Sequence, residues 1–394
     1  MDKIVDNLVE EMGMKIKMKR LDTAHWLIDS QPPQLAEHPA VQEAAACLRR
    51  GETVAFPTET VYGLGANAYH SDAVRKIFAA KGRPSDNPLI VHIWHPEFLE
   101  ELVTAVPEAA RLLMETFWPG PLTLILPSSG RVAPEVTGGL ETVAVRMPSH
   151  PVAQALLKAC GFPLAAPSAN RSGRPSPTTA GHVLEDLKGR IAGVLDGGPV
   201  PIGTESTVVD VSKGRPVILR PGSVTREELE RVLGTAIPAA GLVEKQGSAV
   251  SGREDSLVPR APGMKYTHYA PKGQLWLVKG SLAEVRRRIV EEVRARGCSG
   301  LRVGILTTEE GVAYYRQALA GLPVLVLPCG RRSRPETVAR FLYACLRQFD
   351  AADIQVIYAE SFASEGIGAA IMNRLEKASG GRFISAQGSY QSKA

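Results

Sequence analysis

The chain has 394 residues, of which 44% are apolar and 22% charged, an ordinary globular composition with enough length for two domains. Its 46 basic and 41 acidic side chains give a formal charge of +5, a small surplus that permits an anionic ligand. Five cysteines without a C-x-x-C pair argue against a disulfide framework and a thiolate zinc site. With no secretory signal and no run of 18 uncharged apolar residues, we expect a cytoplasmic protein that does not span a membrane.

The first half of the chain predicts an extension followed by a sheet-based domain. Residues 1–35 are predicted to form an N-terminal extension with a short amphipathic helix over residues 4–14, and chain ends of this kind are usually mobile. Residues 36–223 mix short β-rich segments with helices, which predicts an α+β domain built on one large twisted sheet. The predicted strands cover residues 53–56, 89–93, 122–126, 142–147, 194–195, 206–211 and 217–219.

The second half predicts a linker and a smaller domain. Residues 224–271 lose periodicity after one short charged helix, and their Gly, Ser, Ala and Pro content predicts an interdomain linker. Residues 272–387 then alternate strands and helices, as is typical of a Rossmann-like open α/β domain with parallel strands. The predicted strands cover residues 275–278, 303–306, 324–327 and 356–358, and the predicted helices cover residues 283–296, 313–319, 336–349 and 369–378.

The first stretch whose side chains suit ligand binding or catalysis is FPTETVYGLG at residues 56–65. Here an apolar strand runs into two hydroxyls, a carboxylate and two glycines. A strand end that feeds a glycine-bearing loop is a natural place to bind a small polar ligand. The same residues are equally compatible with a turn in which threonine side chains cap backbone groups. Taken alone, the stretch leaves both interpretations open.

A predicted helix over residues 72–80 ends at two cations, Lys81 and Arg83. These side chains can complement the helix dipole, or they can clamp phosphates, with arginine supplying a fork of donors and lysine a mobile point charge. Asn87 follows, and His92 is the single polar residue of the next predicted strand. A lone histidine in a strand is more often a satisfied core group than a ligand, so this residue gains a functional interpretation only from its neighbours.

Three further segments place small or polar residues at strand ends. PSANRSG at residues 167–173 follows a short apolar run, and its small side chains would let backbone N–H groups approach a phosphate. Residues 203–210 and 219–222 carry hydroxyls and one arginine, although β-turns explain them equally well. Neither a Walker sequence nor G-x-G-x-x-G after a strand is present, so any nucleotide site must be of another type.

Together these motifs resemble the ordered set of the YrdC-like threonylcarbamoyl-AMP synthases, at residues 56–65, 81–89, 168–178, 206–210 and 220–222. The segment PGMKYTHYAP at residues 262–271 and the trailing α/β domain resemble the longer, two-domain branch of that family. The resemblance implies a YrdC-like twisted-sheet catalytic domain followed by a smaller Rossmann-like domain. It also implies the synthesis of threonylcarbamoyl-AMP from L-threonine, bicarbonate and ATP, for the modification of tRNA beside the anticodon.

The resemblance further implies two groups of site residues. L-Threonine would contact Thr60, His92, Arg146 and Ser206, with its carboxylate on Arg146. Lys81 and Arg83 would be the catalytic residues, and they would bind ATP together with Asn87, Thr142, Ala166, Ser168, Asn170, Ser176, Arg220 and Tyr269. Tyr266 competes with Tyr269 for the position that covers the nucleotide. Mg²⁺ would be held through the ATP phosphates, without a cluster of protein ligands.

Two other classes of protein fit parts of the sequence. A module that binds double-stranded RNA or tRNA without catalysis would need a basic face, for which scattered cations and a charge of +5 are weak support. A carbamoyl-transfer enzyme of hydrogenase maturation would share the nucleotide domain, but it needs paired-cysteine zinc motifs that are absent here. The expected partners are small-molecule substrates and the tRNA threonylcarbamoyl transferase that receives the adenylate, with weak tRNA binding at most.

Overall fold

The computed structural model describes residues 21–29, 34–239, 269–296, 300–388 and 390–392. These residues form two sheets, one of ten strands and one of six. None of the helices in the described ranges is long and apolar enough to cross a membrane. The helix predicted over residues 4–14, most of the predicted linker and Tyr266 lie outside the described residues.

The first domain is built on a mixed sheet. Its strands are β1 (Ala24–Leu27), β2 (Val54–Pro57), β3 (Tyr62–Asn67), β4 (Ile90–His92), β5 (Leu122–Pro127), β6 (Thr142–Arg146), β7 (Leu164–Ala165), β8 (Gly193–Asp196), β9 (Thr207–Asp210) and β10 (Val217–Arg220). They are arranged in the order β1-β8-β2-β3-β7-β4-β6-β5-β9-β10. Each strand predicted for this domain is present, with its ends displaced by one residue at most.

Helices cover both faces of this sheet. They are α1 (Pro39–Arg49), α2 (Ser71–Lys81), α3 (Leu99–Leu102), α4 (Glu108–Phe117), α5 (Pro134–Thr137), α6 (Pro151–Cys160), α7 (Ala180–Leu187) and α8 (Arg226–Leu233). Successive side chains of a strand point to opposite faces. Val54 and Phe56 of β2 therefore share an apolar cluster with α1 and α6, whereas Ala55 belongs to the cluster that contains α2, α4 and α7.

The predicted extension is wrong for residues 24–27, because these residues form the edge strand β1. This strand pairs in parallel with β8, with Ala24 opposite Gly193. Four residues with alternating partial burial give too short a pattern to be separated from irregular chain by periodicity. The first sheet therefore begins before residue 36, within the segment that was predicted to be an extension.

The loop predicted after β2 is also wrong, since Gly63 and Gly65 lie in β3, which pairs antiparallel with β2. A Cβ atom at Gly65 would come within 2.8 Å of the ring of Phe56. Glycine within a strand often marks such a close approach. Gly65 therefore serves packing within the sheet, and the turn precedes both glycines at residues 58–61.

The second domain confirms the predicted open α/β architecture. Its strands are β11 (Gln274–Lys279), β12 (Val303–Thr307), β13 (Val324–Pro328), β14 (Val356–Glu360), β15 (Arg382–Ser385) and β16 (Tyr390–Ser392), in the order β13-β12-β14-β11-β15-β16. The first five run parallel, and β16 is antiparallel to β15. The helices are α9 (Leu282–Arg296), α10 (Glu309–Ala318), α11 (Pro335–Ala351) and α12 (Ile367–Ala378). The last two strands were not predicted.

The two domains pack against each other through α11 and α12. The apolar cluster beneath these helices also contains Val61 of the first domain. Gly203 has a φ of +83° and lies so close to Arg340 of α11 that a Cβ atom would come within 2.3 Å of its carbonyl oxygen. In addition, Arg347 of α11 donates a hydrogen bond of 2.9 Å to Asp186 of α7. The second domain therefore borders the loops that follow the central strands of the first.

Candidate active site

A cavity lies where the first sheet meets the second domain. Its wall is formed by the segments around β3, β4, β6, β9 and β10, the loop after β7, and the end of the linker. All the predicted site residues except Asn87, Thr142 and Ser176 line it, namely Thr60, Lys81, Arg83, His92, Arg146, Ala166, Ser168, Asn170, Ser206, Arg220 and Tyr269. The motifs read from the sequence thus converge on one place.

Arg146 is the centre of one polar group in this cavity. Its Nη1 donates to Thr60 Oγ1 (2.9 Å), its Nη2 to Glu59 Oε1 (2.5 Å), and its Nε to the carbonyl oxygen of Gly120 (3.3 Å). Both charged side chains are almost fully buried, so their pairing offsets the cost of removing each charge from water. A guanidinium has five N–H donors, and these contacts with described residues use three. Two donors therefore remain for a ligand carboxylate.

His92 and Ser206 lie beside this arginine. His92 is opposite Arg146 in the pairing of β4 with β6, and its Nδ1 lies 3.2 Å from the carbonyl oxygen of Ile90. Burial, and after it the charge of Arg146, lowers the pKa of His92 to about 3, so the ring is neutral at pH 7. Ser206 Oγ lies 2.7 Å from Thr123 Oγ1, and Thr123 faces Arg146 from β5. The four residues predicted to bind threonine thus form one cluster.

Lys81 lies at the end of α2 and is fully buried. Its Nζ donates to the carbonyl oxygens of Ser168 (2.5 Å) and Asn170 (2.6 Å). Burial, together with the neighbouring Arg83, lowers the pKa of Lys81 well below its ordinary value. The lysine therefore fixes the loop after β7 and adds an amine to the cavity wall at the same time.

Arg83 follows the helix end at Gly82 and lies closer to solvent. Its Nη2 donates to the carbonyl oxygen of Pro88 at 3.0 Å and to that of Asn87 at 3.3 Å. The helix itself ends at Gly82, which has a left-handed φ of +63°, as is common at helix C-termini. The chain reversal places both cations, one on each side of the glycine, in the same wall.

Three predicted residues lie behind or beside the wall. Asn87 is buried and contributes its backbone carbonyl to Arg83, while its side-chain amide has no hydrogen-bond partner among the described residues. Ser176 is buried and donates from Oγ to Glu205 Oε1 at 2.6 Å. Thr142 lies on the same face of β6 as Arg146 but four residues away, which corresponds to roughly 13 Å along a strand. Its distance from the cluster explains why it does not line the cavity.

The linker re-enters the described structure at Tyr269, whose side chain lines the cavity and is buried. Its φ of +67° lies in the left-handed region, which a bulky residue adopts only when its surroundings impose it. The next residue, Ala270, donates its N–H to the carbonyl oxygen of Gly173 at 2.9 Å. The Tyr269 ring lies 5.2 Å from that of Tyr343 on α11. This tyrosine therefore sits between the loop at residues 167–173 and the second domain.

Glu205 is the most informative residue that sequence reasoning missed. It lines the cavity, and its carboxylate accepts hydrogen bonds from Tyr343 Oη (2.8 Å) and Arg374 Nε (3.0 Å) of the second domain. Burial alone would raise the pKa of Glu205, but the charges of Arg374 and Arg220 outweigh it and bring the pKa to about 2. A carboxylate within the hydroxyl-rich segment at residues 203–207 was the available signal.

The side chains around the cavity also determine whether the protein itself could hold a metal ion. Within the described ranges, no group of three or more His, Cys, Asp or Glu side chains is arranged to hold a metal ion. The carboxylate of Glu205 is already bound by the second domain. The cations and hydroxyls of the wall fit an anionic ligand.

Comparison with known proteins assigns both domains to one family. The family model for Sua5, YciO and YrdC proteins, described as "Telomere recombination", matches residues 46–222. The model described as "Threonylcarbamoyl-AMP synthase, C-terminal domain" matches residues 224–380. The two matches follow each other almost without a gap and together span most of the chain.

Individual relatives resemble the chain over nearly its full length. The threonylcarbamoyl-AMP synthase of Bacillus subtilis is 51% identical over 92% of this chain and 100% of its own, and that of Schizosaccharomyces pombe is 36% identical over 93% and 98%. The crystal structure of P. abyssi Sua5 complexed with L-threonine matches with a TM-score of 0.82 at 44% identity and covers 92% of this chain and 99% of that one. The predicted family is confirmed: the chain belongs to the threonylcarbamoyl-AMP synthases, in their longer, two-domain branch.

Proposed function

We propose that the chain converts L-threonine, bicarbonate and ATP to threonylcarbamoyl-AMP and pyrophosphate. The observation that carries this proposal is the convergence of two different groups on one cavity. One group, around Arg146, suits a small amino acid, and the other, around Lys81, suits phosphates. A cavity that binds only RNA would have no need for a buried arginine with donors left for a single carboxylate.

The threonine end uses three kinds of contact. The two remaining donors of Arg146 bind the carboxylate in a charge-assisted pair. Thr60 and Ser206 supply hydroxyls, and the neutral ring of His92 can donate one hydrogen bond and accept another. A cluster of this composition distinguishes threonine from valine, because burying these polar groups against a methyl group would leave them unpaired.

The nucleotide end uses the cations of the wall. Lys81 and Arg83 act on the phosphates, Arg220 adds a third cation, and Ser168 and Asn170 offer hydroxyl and amide groups. Ala166 and Tyr269 line the space for the adenylate. Asn87 and Ser176 act through their contacts with Arg83 and Glu205, and a contact of Thr142 with ATP stays a prediction.

The reaction needs positioning more than covalent catalysis. The amine of threonine adds to carbon dioxide derived from bicarbonate, which forms a carbamate and releases one proton to water. A carbamate oxygen attacks the α-phosphorus of ATP, the bond between that phosphorus and the bridging oxygen breaks, and pyrophosphate leaves. Lys81 and Arg83 stabilise the charge that moves to the leaving group, in a site already oriented for it. When bound through the nucleotide, Mg²⁺ would supply further neutralisation.

The decisive test measures pyrophosphate release by the purified full chain with ATP and Mg²⁺, with threonine and bicarbonate each present or omitted. We expect release only when both are present, and a product with the mass of threonylcarbamoyl-AMP. Valine in place of threonine is the matched control and should give no product. Pyrophosphate release that does not depend on threonine would contradict the proposal. Absence of release from a folded sample would favour the RNA-binding alternative, which predicts steeply salt-dependent tRNA binding.

We further propose that the product passes to a tRNA threonylcarbamoyl transferase in the cytoplasm, as the family membership suggests. A purified transferase and unmodified tRNA, added to the reaction, should yield modified tRNA only when all three substrates are present. Mixing the chain with tRNA alone tests the weak direct binding that was predicted.

A further inference from the structure

The cavity wall has an uneven distribution of charge. In the described part of the chain it carries the basic side chains of Lys81, Arg83, Arg146, Arg174 and Arg220 and one carboxylate, that of Glu205. Glu205 is 6% exposed, and its low pKa keeps it ionised at neutral pH. A buried anion in a wall that is to receive a triphosphate opposes the binding of that ligand, because like charges repel strongly where water is excluded.

The charge of Glu205 is compensated chiefly from the other domain, and Arg220 of the first domain contributes a smaller share. Arg374 of α12 is fully buried and donates from Nε to Glu205 Oε2 at 3.0 Å. Tyr343 and Ser176 also donate to this carboxylate, but their hydroxyls carry no formal charge. Arg220 of the first domain directs its Nε and Nη2 to the backbone oxygen and hydroxyl of Ser206, each at 3.1 Å.

Arg374 also joins two neighbouring strand ends of the first domain. Its Nη1 donates to the carbonyl oxygen of Pro221 at 2.5 Å, and its Nη2 to the carbonyl oxygen of Glu205 at 3.3 Å. Pro221 directly follows β10, which ends with Arg220, and Glu205 directly precedes Ser206, the residue before β9. One side chain of the second domain therefore holds the backbone next to a residue of each substrate group.

Building on the function proposed above, we propose that Arg374 is a positioning residue for ATP: it neutralises Glu205 from the second domain and so allows the cavity to accept the phosphates. Docking of the second domain and binding of the nucleotide then favour each other. Such coupling is reciprocal by thermodynamic necessity. The second domain thus affects nucleotide binding electrostatically. Arg374 does so indirectly, because the group that it neutralises is Glu205.

The test compares the wild-type chain with three variants. Arg374→Met leaves Glu205 charged without the cation of the second domain, Glu205→Gln/Arg374→Met removes both charges, and Glu205→Gln alone leaves an additional positive charge. The matched control is Glu376→Gln, on the same helix, where an exposed carboxylate pairs with Lys279 at 2.7 Å. The readouts are KM for ATP, KM for threonine, the melting temperature, and ATP binding by calorimetry without threonine.

We expect Arg374→Met to raise KM for ATP by roughly 10- to 100-fold, the effect of a unit charge at about 6 to 12 Å with an effective dielectric constant of about 20. KM for threonine should change much less. Glu205→Gln/Arg374→Met should recover most of the lost ATP affinity, and Glu205→Gln alone should bind ATP at least as tightly as wild type. The Glu376→Gln chain should match wild type.

A purely structural role for Arg374 predicts a different pattern, in which the double variant is no better than Arg374→Met and the two KM values rise together. That pattern would overturn the inference. If Arg374→Met does not fold, weaker ATP binding by Glu205→Gln would overturn it as well. Failure of the proposed function is distinguishable, because the wild-type chain itself would then release no pyrophosphate with threonine.

Discussion

Replacement of Arg146 by lysine should weaken threonine binding while the protein stays folded. Arg146 is 4% exposed and paired with Glu59, which is 5% exposed. Alanine at this position would leave that carboxylate buried without a partner, at a cost of about 3–5 kcal/mol in folding free energy. Lysine retains the charge for Glu59 but lacks the outer donors of the fork. The lysine variant therefore separates ligand binding from folding, which the alanine variant cannot do.

The size of the expected change in the Kd for threonine follows from the two N–H donors of Arg146 that are left for the ligand. A hydrogen bond to a charged group contributes about 1.5–3 kcal/mol, so losing one raises the Kd for threonine roughly 10- to 150-fold. Calorimetric titration with threonine measures this change directly, and differential scanning calorimetry gives the melting temperature. Arg111→Lys, an exposed arginine on α4, is the control and should leave both values unchanged. A Kd for threonine within twofold of wild type, in a normally folded Arg146→Lys chain, would refute the assignment of this arginine to the carboxylate.

Three further predictions concern other walls of the cavity. Lys81→Met should lower turnover at saturating substrates on the order of 10²-fold in the pyrophosphate assay, and unchanged turnover would exclude a role for this cation in the reaction. Because the pKa of His92 is about 3 when folded and 6.5 ordinarily, the unfolded chain takes up a proton first as the pH falls, and folding stability is lost from pH 6.5 downward. Urea unfolding at several pH values should show a smaller loss for His92→Gln, and equal losses would contradict the buried, neutral ring. Tyr269→Leu removes an aromatic ring from the space proposed for the adenylate, so KM for ATP should rise roughly 2- to 13-fold, the equivalent of about 0.5–1.5 kcal/mol for one aromatic pair with the adenine. An unchanged KM for ATP would mean that the nucleotide does not depend on this contact.

The sequence predicted the sheets well because their central strands are buried, β-rich and bounded by turn residues. The strand at residues 122–127, for example, is apolar at every position except Thr123 and is buried along five of its six positions. The misses share a physical cause. β1 has four residues and lies at an edge, and β16 has three, so neither is long enough to display a period. Gly65 of β3 was misread because close packing against Phe56 and a tight turn require the same residue type.

The site was predictable as a set of residues but not as a set of contacts. Local motifs and the family resemblance identified Arg146 and Ser206, yet the sequence does not reveal which charged group lies opposite each one. Glu59 is 87 residues from Arg146, and Arg374 is 169 residues from Glu205. Partners at such separations are determined by the packing of whole domains. The burial of Arg374 in α12, which requires a charged or polar partner, is apparent only in the structure.

The pairing of β1 with β8 has a consequence for the synthesis of the chain. Thr23 and Ile191, which connect the ends of these two strands, are 168 residues apart. At about 5–20 residues per second, the ribosome completes the second strand roughly 8 to 34 s after the first. During that interval β1 has been synthesised but the strand with which it pairs has not. The edge of the first sheet therefore forms only after residues 193–196 have been added to the chain.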